Sequence, residues 1–538
     1  MFPAVDDRIL LELARTEGGP DALALLARDQ DTRRLLVLRA VLDAAEAADP
    51  RVCDTGRKAR LREDWALLTQ ADRAAPTPTT PARRSDPPYP PYPSYPPHPR
   101  HSPHPPTPTT PRTPARALLL HPFTGPWARS CLHGLDGGPA PATDDPPVAP
   151  ALSATHAPLA TYAPPATHAP PATTGERARR LRRDLAHFSA LAAVAAAGAG
   201  LAFSTRLTAR AGVLTLPSLG SLHTAASGDV TVDVAHRDGV LTLRRPDAPD
   251  VRVHLENGPG AWSGAPAWTP AYALPGLLPS APPLPLDDLD PYREPPYETH
   301  RGSLSGAATL DDAERKRWLQ TWSGTAVALR SGGAHRLGEA AALLRCLVPL
   351  HMPPEIGTGR GSCSATRREA FGALLSSTPP DPVTFAATLV HELQHAKLAA
   401  LSDLLTLHRA GPEARYFAPW RADPRPYDGL LQGTYSHLAM ADFHQRRALV
   451  TGSGERQWAW SQHARYRAQV GAALPALLGS PDLTARGRRF VDEMAATYER
   501  MADHPAPRDH TARARAYVTS ARTLWTRRHA PALPRPNE

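Results

Sequence analysis

A protein of 538 residues could hold two or three domains, but 63 prolines mean that part of it cannot build a packed core. The formal charge of +9 comes almost wholly from arginines scattered beside acidic residues, with no pattern of a DNA or RNA reader, which argues against a nucleic-acid partner. Cys53, Cys131, Cys346 and Cys363 lie far apart with no Cys-x-x-Cys pair, so neither a zinc ribbon nor a disulfide framework fits and a reducing compartment is expected.

Residues 1–74 read as helices, with Ile9, Leu10, Leu13, Leu23, Leu26, Leu38, Val41 and Leu42 at helical spacing. Asp6, Asp7, Glu12 and Glu17 stand where a signal peptide needs a basic start and an apolar core, so a cytoplasmic protein is expected. Residues 75–114 are a Pro-rich insertion expected to be disordered or polyproline II. Residues 115–135, which contain His121-Pro122-Phe123-Thr124-Gly125-Pro126-Trp127, read as an ordered segment joining the core. Residues 136–175 form a Pro/Ala-rich linker with six-residue repeats around His156 and His168, read as a solvated spacer.

Residues 176–538 are expected to form an α+β core, predominantly helical. A helix over 176–198 ends in an uncharged Ala/Gly-rich run too short and too weakly apolar to span a bilayer, so no membrane partner is expected. Turn glycines Gly212 and Gly239 each lead a strand-like alternation, and 310–348 reads as helix broken at Gly332-Gly333. Residues 366–375 read as extended, 416–427 as a Pro-punctuated loop, and most of 429–529 as helix.

Between these lies the run His391-Glu392-Leu393-Gln394-His395. Two histidines four apart on a helix project from one face, about 40° apart around the axis, and can share one metal ion; Glu392 sits about 100° from the first, able to act as base or ligand. Asp381-Pro382 reads as the N-cap and first turn, and Gly411-Pro412 as the stop, which predicts a helix of about 28 residues packed beside a small sheet. Leu398 and Leu401 stand where a metzincin needs glycine and histidine, which excludes that class. His437 is the best third ligand, on a helix where Gly433 and Ser436 permit close approach. His444 is the runner-up, and Asp428, Asp442 and Glu413 are carboxylate alternatives. Arg421 and Arg425, on the stiff loop before that helix, can clamp a carboxylate or brace the loop against Asp423 and Asp428.

The run 391–398, the loop 418–426 and the segment 429–437 together resemble the HExxH-motif peptide-modification proteins that accompany ribosomally made, post-translationally modified peptides. The similarity extends through 1–74, 121–127 and 176–529, with the two Pro-rich stretches as insertions. It implies an Fe(II)- and 2-oxoglutarate-dependent peptide β-hydroxylase acting on a ribosomally made precursor peptide, with a radical S-adenosylmethionine maturase as a candidate partner. It further implies iron held by His391, His395 and His437, and the far carboxylate of 2-oxoglutarate on Arg421 or Arg425. Such oxygenases usually use two histidines and one carboxylate, so Glu392 itself is the other candidate to complete the set. Residue spacing alone favours a zinc metallopeptidase with Glu392 as general base on a zinc-bound water. A leader-peptide-binding accessory protein is the third reading.

Overall fold

The computed structural model describes residues 5–74, 113–136, 173–245, 248–255, 260–279, 281–294, 306–352 and 363–529. The bulk of both Pro-rich stretches therefore lies outside the described residues. The fold opens with α1 (Asp7–Ala14), α2 (Pro20–Ala47) and α3 (Thr55–Arg73), then continues through α4 (Pro114–Leu119), α5 (Thr124–Asp136) and α6 (Thr174–Gly198). Ten strands follow: β1 (Phe203–Ala209), β2 (Val213–Leu216), β3 (Gly220–His223), β4 (Val230–Arg237), β5 (Val240–Arg245), β6 (Ala248–Leu255), β7 (Ala261–Trp262), β8 (Trp268–Pro270), β9 (Tyr272–Leu274) and β10 (Leu284–Leu286). Next come α7 (Asp312–Ser331), α8 (Ala334–Leu343), β11 (Cys346–Leu350), β12 (Ser364–Thr366), β13 (Ala373–Ser377) and α9 (Pro382–Leu404). The last quarter is helical: α10 (Tyr427–Val450), α11 (Ser453–Leu478), α12 (Ala485–Arg500) and α13 (Arg508–His529).

The class is mixed α+β with helix dominant, but the strand content exceeds the small sheet expected. Two five-stranded sheets, β1-β4-β5-β6-β7 and β12-β13-β11-β10-β9, stand beside a three-stranded one, β2-β3-β8. Three boundaries also differ from expectation. The helix predicted through 348 ends at Leu343, and the apolar run from Cys346 becomes β11, parallel to both β10 and β13. Residues 366–375 are not one extended piece: β12 and β13 run antiparallel around a 3-10 turn, Arg368–Ala370, and Gly372 at φ 95°. The helix carrying the His-Glu run has 23 residues and stops at Leu404 rather than near Gly411, so His408 lies beyond it, bridged to Leu483.

Helix starts follow the polar residues that cap them. Asp381 accepts hydrogen bonds from the N–H groups of Val383 and Thr384, with Pro382 in the first turn, and Thr173–Glu176 and Asp311–Glu314 each form a capping box.

The sheet β12-β13-β11-β10-β9 separates two apolar cores because its side chains alternate in direction. Leu347, Leu374 and Leu286 face a core built with α1, the start of α2 and α7–α12. Cys346, Val348, Ala373 and Leu375 face a core built with the end of α2, α3–α6 and β1–β8. The Ala-rich end of α6 is buried in that second core. Among the described residues, no helix is long and apolar enough to cross a membrane.

A buried ionic network ties the first core together. The Lys397 ammonium on α9 donates to Glu339 Oε1 of α8 at 2.8 Å and to the carbonyls of Thr16 and Glu17 in the α1–α2 turn at 3.1 and 3.3 Å. Arg336 donates to Glu339, to Thr16 and to Asp442 on α10. Burial opposes the charge on Glu339, yet Lys397 and Arg336 hold its carboxyl below the usual range, while burial lowers Lys397 to about 8. Removing one partner leaves two buried cations under-compensated. Glu339→Ala is therefore expected to cost about 3–5 kcal/mol, seen as a lowered urea midpoint; an unchanged midpoint would contradict the role given to this network.

Candidate metal centre

α9 is buried on nearly every side, from Phe385 to Leu401, as expected of a helix packed between other helices and a sheet rather than on the surface. It contacts α7, α8, α10, α2 and β12. His391 and His395 project from it one turn apart, and their Nε2 atoms lie 3.2 Å from each other. With metal–nitrogen bonds of about 2.1 Å, that separation subtends about 100° at a shared ion, an angle compatible with tetrahedral or octahedral coordination.

The outer nitrogens decide which face of each ring is free. His395 Nδ1 meets Gln432 Oε1 at 3.2 Å, and His437 Nδ1 meets the Gly433 carbonyl at 2.7 Å. Both partners are acceptors, so each Nδ1 carries the proton and each Nε2 is left as a lone-pair donor. His391 Nδ1 is buried with no partner among the described residues. Burial pushes all three imidazoles toward the neutral form a ligand requires: His391 well below its ordinary value, His395 to about 4 and His437 to about 3. The donor chemistry therefore fits a divalent metal.

His437 reaches the pair from α10. Its ring centroid lies 5.5 Å from that of His391, nearly perpendicular. The three residues do not bring one nitrogen each within 4.8 Å of the others, so a third bond to a shared ion needs His437 to advance or another group to serve. The alternatives are engaged elsewhere: His444 stacks on Tyr466, Asp428 pairs with His408, and Asp442 pairs with Arg336 and Arg446. Glu413 is exposed and its charge acts on Arg415.

Glu392 points toward the edge of the central sheet. Ser364 Oγ donates to its Oε1 at 2.7 Å and Thr366 Oγ1 to its Oε2 at 3.3 Å, both from β12. Burial raises its carboxyl to about 7, although the two hydroxyls and the Thr366 N–H oppose the shift.

Arg421 and Arg425 both pair with Asp423, at 2.9 and 3.4 Å. This is the bracing arrangement, with Asp423 rather than Asp428 as the shared partner. Against burial, the hydrogen bond and charge of Arg421 keep Asp423 below its ordinary value. The loop residue that touches the histidines is Trp420, whose indole stacks on His437 with centroids 4.4 Å apart. A Cβ at Gly433 would fall 2.4 Å from that indole, so the glycine on α10 is what lets the ring lie there.

Gln432 and Trp420 sit within two of the three segments that carried the sequence resemblance, but no spacing rule marks them as neighbours of His395 and His437. Ser364 and Thr366 carry no sequence signal at all, because their contact with Glu392 exists only once β12 pairs with β13. No protein-family model matches the sequence, and no curated protein matches it.

Gly433→Ala is expected to push Trp420 off His437, with an overpacking cost of about 1–3 kcal/mol. A changed near-UV dichroism band and lowered metal content after reconstitution would register it. Both remaining at wild-type values would mean that the stack does not depend on the glycine.

Proposed function

We propose that the protein is an Fe(II)- and 2-oxoglutarate-dependent oxygenase that β-hydroxylates side chains of a ribosomally made precursor peptide. The observation that carries a metal-dependent reaction is the buried, neutral His391–His395 pair with Nε2 atoms 3.2 Å apart. The choice of iron and 2-oxoglutarate rests on the resemblance of residues 391–398, 418–426 and 429–437 to the HExxH peptide-modification proteins.

On this reading His391 and His395 hold the metal, and His437 or Glu392 completes the set. The bound iron would supply oxidation at a β C–H bond of the peptide, with 2-oxoglutarate and O2 converted to succinate and CO2 and the remaining oxygen atom entering the new hydroxyl. The remaining tasks belong to the protein. Gln432 and the Gly433 carbonyl keep the ring protons of His395 and His437 on Nδ1. Trp420 covers the His437 ring on one side and Tyr466 packs against it at 5.3 Å, which keeps water from that imidazole. Arg421 or Arg425 binds the far carboxylate of 2-oxoglutarate by exchanging Asp423 for it, since a guanidinium fork matches either carboxylate.

One observation favours a zinc peptidase instead. A buried Glu392 raised to about 7 is poised as a general base near neutral pH, provided its carboxylate turns from Ser364 toward a metal-bound water.

Purified protein supplied with Fe(II), ascorbate and 2-oxoglutarate is expected to release succinate, and His395→Ala to lower that rate more than about 100-fold. Zinc-dependent cleavage of a peptide, with no succinate from the iron form, would transfer the assignment to the peptidase. Arg421→Ala or Arg425→Ala is expected to raise KM for 2-oxoglutarate more than about 10-fold with kcat nearly kept; if neither moves KM, the clamp lies elsewhere.

A further inference from the structure

On the opposite face of the central sheet from α9, three metal-ligating side chains meet. His121 lies in the turn between α4 and α5. Asp287 follows β10 directly, with its N–H bonded to the Leu347 carbonyl at 2.7 Å, and Asp290 comes three residues later. One nitrogen from His121 and one oxygen from each aspartate all lie within 4.8 Å of one another.

The hydrogen bonds divide each carboxylate into a fixed half and a free half. Asp287 Oδ1 accepts from the N–H groups of Leu289 and Asp290 at 3.2 and 2.9 Å, while its Oδ2 faces His121 Nε2 at 3.9 Å. Asp290 Oδ1 accepts from the Tyr292 N–H at 2.7 Å, and its Oδ2 accepts no hydrogen bond from the described residues. Asp290 is only 5% exposed. Two carboxylates held this close in a poorly solvated place repel each other, and the Tyr292 N–H and the charges of Arg293 and Arg210 offset that only in part.

We propose that His121, Asp287 and Asp290 form a second metal site, separate from the His391–His395 pair, that takes a first-row divalent cation such as Mn2+ or Zn2+. One imidazole with two carboxylates suits such ions better than Mg2+ or Ca2+, which favour all-oxygen sites. Coordination through Nε2 puts the His121 ring proton on Nδ1 and gives up a long 3.4 Å contact from the Phe123 N–H. Burial, with Asp287 adding to it, pushes the Asp290 carboxyl up to about 8, and burial pushes His121 down to about 4. A cation among them stabilises the ionised carboxylates and uses the neutral imidazole, so it suits both groups.

The site has a structural task. It clamps the α4–α5 turn to the segment leaving β10, two pieces of backbone far apart in sequence. The start of α5, just after that turn, packs on the 3-10 turn between β12 and β13, where a Cβ at Gly125 would fall 2.3 Å from the Glu369 carbonyl. The cation therefore braces, from behind, the strand pair that holds Glu392 in front.

The test is calorimetric titration of the chelator-stripped full-length protein with Mn2+ and, separately, Zn2+. In a His391→Ala/His395→Ala background one equivalent is expected to bind, and adding Asp290→Asn is expected to weaken it more than about 100-fold, beyond the loss of an outer-shell partner. In the otherwise wild-type protein Asp290→Asn is expected to remove one equivalent of the total. Metal-free Asp290→Asn protein is expected to melt higher than its parent, because the substitution removes the repulsion while Asn Oδ1 can still accept from Tyr292; lost binding then cannot be lost folding. Absence of binding in the double-histidine background, unchanged affinity with Asp290→Asn, or a lower melting temperature of that metal-free variant would each overturn the proposal. The two sites are emptied by different substitutions, so failure here leaves the oxygenase assignment intact, and the reverse holds.

Discussion

A lysine ammonium buried to 1% exposure survives only where its charge is answered in place. Lys397 is answered by Glu339 and two backbone carbonyls, while Arg336, a second buried cation that shares Glu339, is answered further by Asp442. The carbonyls belong to a turn that reaches them because Thr16 adopts φ 64°, a left-handed conformation few residues with a Cβ accept. The α1–α2 turn, α8 and α10 are thus all tied to one side of α9. Lys397 lies two residues past His395, about 200° further around the helix. Holding the back of α9 therefore fixes the direction in which the His391–His395 face looks.

The same lack of solvent sets the chemistry of that face. Desolvation is the largest cause keeping three imidazoles neutral, and it lifts Glu392 into the neutral range although three donors oppose it. Neutral nitrogen donors beside a carboxyl that gains or loses its proton easily form a useful set for a metal reaction. A surface helix with the identical sequence run would have charged histidines in mild acid and a fully ionised glutamate. The fold thus contributes dryness, and the run contributes spacing.

What was legible in the sequence was local. Asp381-Pro382 marks where α9 starts, and the spacing of His391 and His395 gives their shared face, because both depend only on helix geometry and on hydrogen bonds within a few residues. The Gly212 and Gly239 strands were legible for a similar reason: each glycine takes a positive φ that few other residues tolerate. The misses depend on partners distant in sequence. Cys346-Leu347-Val348-Pro349-Leu350 is buried on both faces, so it lacks the alternation that marks a strand and reads as the tail of a helix. β9 and β10 are three residues long, and β10 contains Pro285, so pairing rather than propensity makes them strands. The end of α9 was misplaced because Thr484, from the start of α12, bonds the carbonyls of Thr406 and Leu407 and draws them out of helical geometry. Trp420 was visible as a residue, but its place over His437 depends on two helices closing to the distance that Gly433 permits.

The central sheet then gives the His391–His395 pair and the His121–Asp287–Asp290 group a common mechanical element. β12 presents Ser364 and Thr366 to Glu392 on one face, while the turn that ends this strand lies against the α4–α5 segment carrying His121 on the other. β12 is an edge strand of three residues, paired only with β13, and short edge strands are among the easier parts of a sheet to displace. Its position must be held by what packs on its two faces. A displacement of β12 would release the Glu392 carboxyl from its hydroxyl partners and alter both its proton affinity and its reach. Whatever fixes the α4–α5 segment against the sheet therefore acts on Glu392 without touching it.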